Sequence, residues 1–146
     1  MSIKVQLQDD LKDAMRSKDE VRKRTTRLAL ASIKLAEVDK GELDEADELA
    51  IIQKEIKQRQ ETIEDARRSG HSELIEENQA EIGILMEYLP KQLTNTELEE
   101  MARQAVEEVG ATDMSGMGQV MKVLVPRLAG RATGQQASQA VRKLLA

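Results

Sequence analysis

Residues 116–146 read GMGQVMKVLVPRLAGRATGQQASQAVRKLLA, and the fold of the whole chain is best read outward from them. Met117, Val120, Met121, Leu124 and Leu128 recur at helical spacing, and Ala137, Ala140, Val141, Leu144 and Leu145 do so again. The Gly130-Arg131-Ala132-Thr133-Gly134 run between them predicts a turn, so the stretch is two short amphipathic helices whose stripes share one core. Pro126 falls late in the first helix and predicts a kink or a shortening rather than its loss. Charge also sets this region apart. Residues 111–146 hold Lys122, Arg127, Arg131, Arg142 and Lys143 against Asp113, a net +4 inside a chain of net −5. A basic terminal segment on an acidic body points to an electrostatic task for that segment.

Upstream, Thr94 with Glu97 three residues later predicts a capping box. Leu98, Met101, Ala105 and Val109 then stripe one more helix, up to Gly110. Residues 91–146 are therefore expected to form a three-helix module. Tyr88-Leu89-Pro90 predicts a helix end and a domain boundary near residues 90–94, because proline disfavours helix at the residue before it.

The preceding region, residues 1–90, reads as long helices. Ser2 is a candidate cap for a first helix with Ile3, Leu7, Leu11, Ala14 and Met15 on one face. Asp19 is a candidate cap for a second, whose stripe reads Val21, Leu28, Ala31, Leu35 and Val38 up to Gly41. Asp44 then opens the longest helix, about residues 45–69 and so ~37 Å. Its stripe is Leu49, Ile52, Ile56, Ile63 and Ala66, with Arg59 at the remaining heptad position. Ile75, Asn78, Ile82, Leu85 and Leu89 return at the same spacing, which predicts an antiparallel hairpin with coiled-coil-like contacts and Asn78 as its register device. The fold class expected is all-α.

Composition narrows the function classes. Charged residues make up 34% of the 146, there is one aromatic residue (Tyr88), and cysteine is absent, which excludes disulfides and thiolate chemistry. No apolar run approaches the length of a membrane span, and the MSIKVQLQDDLKDAM start is charged throughout. A soluble cytoplasmic protein with no membrane contact is the expectation.

The chain carries no recognisable catalytic constellation. Nucleophilic catalysis needs an activated Ser, Cys, Thr or Lys beside a base, and the only histidine, His71, lies beside a predicted interhelix turn, where a catalytic role is not expected. Glu73, Glu76, Glu77 and Glu81 have no histidine at the spacing a di-metal bundle needs, and they read as a solvated face. The 130–134 turn lacks the Gly-Lys-Ser/Thr of a phosphate-binding P-loop and follows no strand. Met114, Met117 and Met121 read as core filler. No catalytic residue, metal or cofactor is expected. A basic run at Arg22, Lys23, Arg24 and Arg27 admits two readings, a solvated face or a secondary phosphate-contacting patch.

The strings MGQVM, LVPRLAGRATG and QAVRKLL resemble the C-terminal signature of the YqeY family, free-standing relatives of the tail domain of the GatB subunit of tRNA-dependent amidotransferases. LALASIKLAEVDKG, IIQKEIKQRQETIEDARRSG and AEIGILMEYLPKQLT resemble the same family in the same order, so the likeness covers nearly the whole chain. Three positions depart from the family pattern: Gly116 and Thr133-Gly134 where Asp and Asp-Gly are expected, and Leu35 where Asn is expected. The resemblance implies a non-catalytic, tRNA-associated accessory protein. Its alternatives are a subunit assisting glutamine-dependent carbon–nitrogen ligation within a complex, and a protein–protein adaptor that docks through the long hairpin. On the first reading Lys122, Arg127, Arg131, Thr133, Gly134, Arg142 and Lys143 are the RNA-binding candidates, cations beside a helix N-terminus. Arg131 and Arg142 are expected to touch phosphate without a part in the fold. With no aromatic nearby, contact should be electrostatic and shape-reading.

Overall fold

The computed structural model describes residues 2–146 and is all-α: seven α-helices and one 3-10 turn, with no strand among the described residues. The helices are α1 (Ile3–Ser17), α2 (Glu20–Lys40), α3 (Glu45–Ser69), α4 (Ser72–Met86), α5 (Asn95–Val109), α6 (Met117–Leu128) and α7 (Gly134–Leu145). The chain divides into two compact units, the first ending at Leu89 and the second running from Pro90 to Ala146.

In the first unit, short polar side chains start the helices by taking N–H groups that have no partner within the helix. Ser2 Oγ accepts from the Val5 N–H, Asp19 from the Arg22 N–H, and Asp44 exchanges bonds with Asp47 in a capping box. Gly70, at φ +77°, closes α3 in the left-handed conformation that glycine adopts without cost, and α4 folds back as the other arm of a hairpin. The core joins Ile3 and Leu7 of α1, Ala29, Leu30 and Ile33 of α2, Ile52 and Ile56 of α3, and Ile84, Leu85 and Tyr88 at the end of α4. The Tyr88 hydroxyl donates to the Asp10 carboxylate.

This core corrects the expected face of α2. Leu28, Leu35 and Val38 stand 47%, 68% and 81% exposed, while Thr25, Thr26, Ala29, Leu30 and Ile33 are buried. The threonines enter the core because their hydroxyls donate to the carbonyls of Val21 and Arg22 one turn back, leaving a small and satisfied surface to pack. Met15 of the α1 stripe is exposed too.

Glu81 is likewise buried rather than part of a solvated face. Its carboxylate accepts from Arg59 Nε at 3.2 Å and from Arg24 Nε at 3.0 Å, and Arg59 also reaches Glu55 at 2.8 Å. Asn78 bonds the Leu74 carbonyl of its own helix, so the ionic cluster across α3 and α4, not Asn78, ties the two arms together. Glu48, also buried, turns its carboxylate to the first turn of α1 and accepts from the Lys4 N–H at 2.9 Å, where the positive end of that helix favours an anion.

The second unit packs α5, α6 and α7 around Leu98, Ala102, Ala105, Val120, Leu124, Leu128, Ala132, Ala137, Ala140, Val141 and Leu145. Thr94 caps α5 through the Glu97 N–H. The Glu97 carboxylate, instead of returning the bond as a capping box requires, lies 3.5 Å from Arg131. α6 runs through Pro126 to Leu128, and Ala129 and Gly130 then take left-handed conformations in succession (φ +48° and +79°) to reverse the chain. Leu144 of the expected α7 stripe faces outward. Gly116, the departure from the family's Asp, has a packing reason: a Cβ there would lie 2.6 Å from the Cβ of Ala111. Asp113, three residues earlier, caps the turn that leads into α6.

Candidate nucleic-acid interface

The candidate cations of the second unit lie on α6, on the turn after it, and on the last turn of α7. They fall into two groups. Arg127 donates both ends of its guanidinium to Glu108 of α5, at 3.0 and 2.5 Å, and that ion pair holds the Glu108 carboxyl below the usual carboxylate range. Arg131 donates from Nε to the Lys91 carbonyl at 3.0 Å, beside its contact with Glu97. Its backbone is clasped as well, since the Arg131 carbonyl accepts from the Leu93 N–H at 2.8 Å and the Gln92 amide reaches the Gly130 carbonyl at 3.1 Å. Arg131 is thus part of the fastening that fits the α6–α7 turn to the segment entering α5, and the expectation that it has no part in the fold is corrected. The signal was available only in three dimensions, because Lys91 and Arg131 are forty residues apart.

Lys122, Arg142 and Lys143 form the other group. All three are exposed and none is ion-paired among the described residues. Thr133 caps α7 with a full capping box: its hydroxyl accepts from the Gln136 N–H and the Gln136 amide oxygen accepts from the Thr133 N–H. The Gly134 and Gln135 N–H groups, ahead of the first intrahelical bonds, point out of the helix end and are open to an anion. At 100° and 1.5 Å per residue, Arg142 stands roughly 20° round the helix from Gln135 and about 10 Å along it, so a backbone lying on α7 could meet both. Lys143 turns to another side, over a cleft of about 260 Å³ between α5 and α7 lined by Asn95, Glu99, Gln136 and Gln139. The sequence reading passed over this cleft, although Gln136, Gln139 and Lys143 repeat at the spacing of one helix face.

The unit is electrically divided. α5 carries Glu97, Glu99, Glu100, Glu107 and Glu108, partly neutralised by Arg103 and Arg127, while α6 and α7 bear only cations. The basic run on α2 is largely spent within the fold: Arg22 pairs with Glu87 at 3.1 Å, Lys23 with Glu20 at 3.9 Å, and Arg24 with Glu81, which leaves Arg27 unpaired.

His71 sits on the α3–α4 turn with Nδ1 2.7 Å from Ser69 Oγ. The same hydroxyl lies 3.0 Å from the Asp65 carbonyl, both residues are exposed on the turn, and which partner takes the serine proton follows the imidazole tautomer. Among the described residues no cluster of three His, Cys, Asp or Glu side chains could hold a metal, and no helix is long and apolar enough to cross a membrane.

Comparison with known proteins adds a family and its relatives. A family model described as Yqey-like protein matches residues 4–145. Among curated proteins the chain is similar to three fungal proteins that share the name Altered inheritance of mitochondria protein 41, mitochondrial. That of Lachancea thermotolerans is 40% identical over 57% of this chain and 46% of its own length. The Pyrenophora tritici-repentis protein is 31% identical over 89% of this chain and 73% of its own, and the Eremothecium gossypii protein 35% over 68% and 55%. The matched region is thus less than two thirds of the length of two of these relatives. All three are named as mitochondrial proteins, which overturns the cytoplasmic expectation. That expectation rested on a missing cysteine and on the charge of the first residues, neither of which identifies a compartment.

Proposed function

From its membership of the Yqey-like protein family, to which this chain belongs, we propose that the protein is a non-catalytic accessory that holds tRNA by its phosphate backbone through the second unit. One observation carries the reading. Lys122, Arg142 and Lys143 remain unpaired in a chain of net −5, on the same small unit as the open N-terminus of α7. Cations on α6 and α7, together with the N-terminus of α7 and with the helical carboxylates of the unit confined to α5, make a surface suited to a polyanion. Arg127 and Arg131 support it from behind, by holding α5 and the turn in place.

Such a surface positions RNA and carries no base identity, and the lack of aromatic residues agrees with binding that follows shape and charge. The family's amidation setting enters only as the source of the tRNA; the reacting groups would belong to other proteins. The acidic first unit opposes the approach of RNA, so affinity is set near the micromolar scale of non-specific binding.

A titration of the full chain with tRNA at several salt concentrations tests this, and the mitochondrial names of the relatives make mitochondrial tRNA the first pool to use. The logarithm of the binding constant should fall linearly with the logarithm of salt concentration. Arg142→Ala and Lys143→Ala should each lower that slope by about 0.7 to 0.9 while leaving helicity unchanged. Binding that is absent, or that ignores both substitutions, would remove the proposal.

A further inference from the structure

α2 is apolar on two opposite sides, and its own unit covers only one of them. The inner side carries Ala29, Leu30 and Ile33. On the outer side Leu28, Ala31, Leu35 and Val38 are exposed and fall within roughly 80° of arc at 100° per residue, nearly opposite the inner set. A helix with apolar residues all round is ordinarily enclosed on both sides. The outer side also borders a groove of about 390 Å³, formed where α2 lies against α3. Of the groove's polar wall, Ser32 donates to Glu55 at 2.6 Å and Glu55 accepts from Arg59, while the exposed Gln58 stands at its edge. Apolar atoms could therefore replace water over Ser32, Glu55 and Arg59 without stranding those groups.

Charge selects the occupant. Arg27 and Lys34 border the apolar row, are exposed, and make no ion pair among the described residues. A second copy of the chain laid face to face would gather four such cations, offset by Asp39, since Glu20 and Glu55 nearby already serve Lys23 and Arg59. RNA would pair with the cations but leave Leu35 and Val38 in contact with phosphate or water. We propose that the outer face of α2 is the docking site for an amphipathic helix of a partner protein, with apolar anchors spaced to enter between Leu28, Ala31, Leu35 and Val38 and with carboxylates placed against Arg27 and Lys34. Recognition of this kind sets one helix in the groove of another, with opposite charge on the rim fixing its orientation. The site is separate from the proposed RNA surface, so either can fail without the other.

The test begins in cells, with the full-length chain carrying a photo-crosslinking amino acid in place of Val38, and identifies the captured peptide by mass spectrometry. The expected capture is a segment with apolar residues at helical spacing and Asp or Glu beside them. A synthetic copy of that segment should bind the purified full chain. Leu35→Gln should weaken that binding at least tenfold, and Arg27→Glu with Lys34→Glu should weaken it further and reverse its salt dependence, so that added salt then strengthens what binding is left. All these positions are exposed, so melting temperatures should be unchanged, which separates lost docking from lost folding. Capture of a second copy, of RNA, of a segment without acidic residues, or of nothing at all would overturn the proposal. So would a peptide affinity that ignores Leu35→Gln.

Discussion

The buried side chains of the Pro90–Ala146 unit are all apolar, whereas the first unit also encloses Thr25, Thr26, Glu48, Arg59, Asn78 and Glu81. The contrast follows from helix length and neighbours. α5, α6 and α7 are short, and each spends one stripe on a single shared core, which leucine, valine and alanine fill. α3 is 25 residues long. Toward its middle it meets α4 and the first turns of α2 at once, and there arginine and glutamate fill the space. An apolar interior tolerates the loss of a group at the cost of a cavity; an ionic one leaves an uncompensated charge. The two units should therefore respond differently to similar injuries.

The largest effect is expected at Arg59. Arg59→Ala leaves Glu81 and Glu55 without their shared partner in a nearly closed site and should cost about 3 to 5 kcal/mol. Denaturant unfolding should show the loss in the first unit. Replacing Arg59 and Glu81 together, by Met and Leu, should recover most of it; failure to recover would mean that the cluster is weaker than its neighbours' packing. In the second unit Leu124→Ala should cost about 2 to 5 kcal/mol, since Leu124 is wholly enclosed. Limited proteolysis of that variant should cut beyond Leu89 first, and simultaneous loss of both halves would dissolve the contrast. Thr133→Ala removes the cap of α7 and should cost about 1 kcal/mol, read as a lower melting temperature. The same variant should weaken tRNA binding slightly by loosening the helix end.

Smallest near neutrality is the effect of Tyr88. Burial, and then the hydrogen bond to Asp10, push its phenol above the ordinary value of 10.0. Below pH 10 the phenol is protonated in both states and its contribution is whole. Above pH 10 the unfolded chain releases the proton first, so stability falls as pH rises toward the folded value. Thermal melts of the first unit followed by circular dichroism between pH 8 and pH 11 should show this decline, and Tyr88→Phe should flatten it. An unchanged slope in Tyr88→Phe would assign the alkaline loss to other groups.

Local signals carried well from sequence to structure, and tertiary ones less so. Ser2, Asp19, Asp44 and Thr94 all cap the helices expected of them, because a cap is decided within four residues. The stripe of α2 misled because periodicity alone cannot tell a covered apolar face from an uncovered one. Thr25 and Thr26, polar in the sequence, are apolar in effect once their hydroxyls bond to their own helix. Glu81 looked solvated among Glu73, Glu76 and Glu77, since nothing local announces that Arg24 and Arg59 arrive from two other helices. In the candidate interface the residue types were legible but not their employment. Arg131 and Arg142 are alike in sequence, and only the fold shows that one fastens a turn while the other is free.

Tyr88 also gives the molecule a one-sided optical label. It is the sole aromatic side chain in the chain, and it lies in the core of the first unit. Intrinsic ultraviolet emission therefore reports that half alone, while the other half is dark. Comparing emission with far-ultraviolet circular dichroism, which sees every helix, separates the two unfolding transitions without a dye or a tag. The dark half also offers a clean background: a single tryptophan introduced at exposed Leu144, beside Arg142 and Lys143, would light up only there and respond to whatever settles on α7.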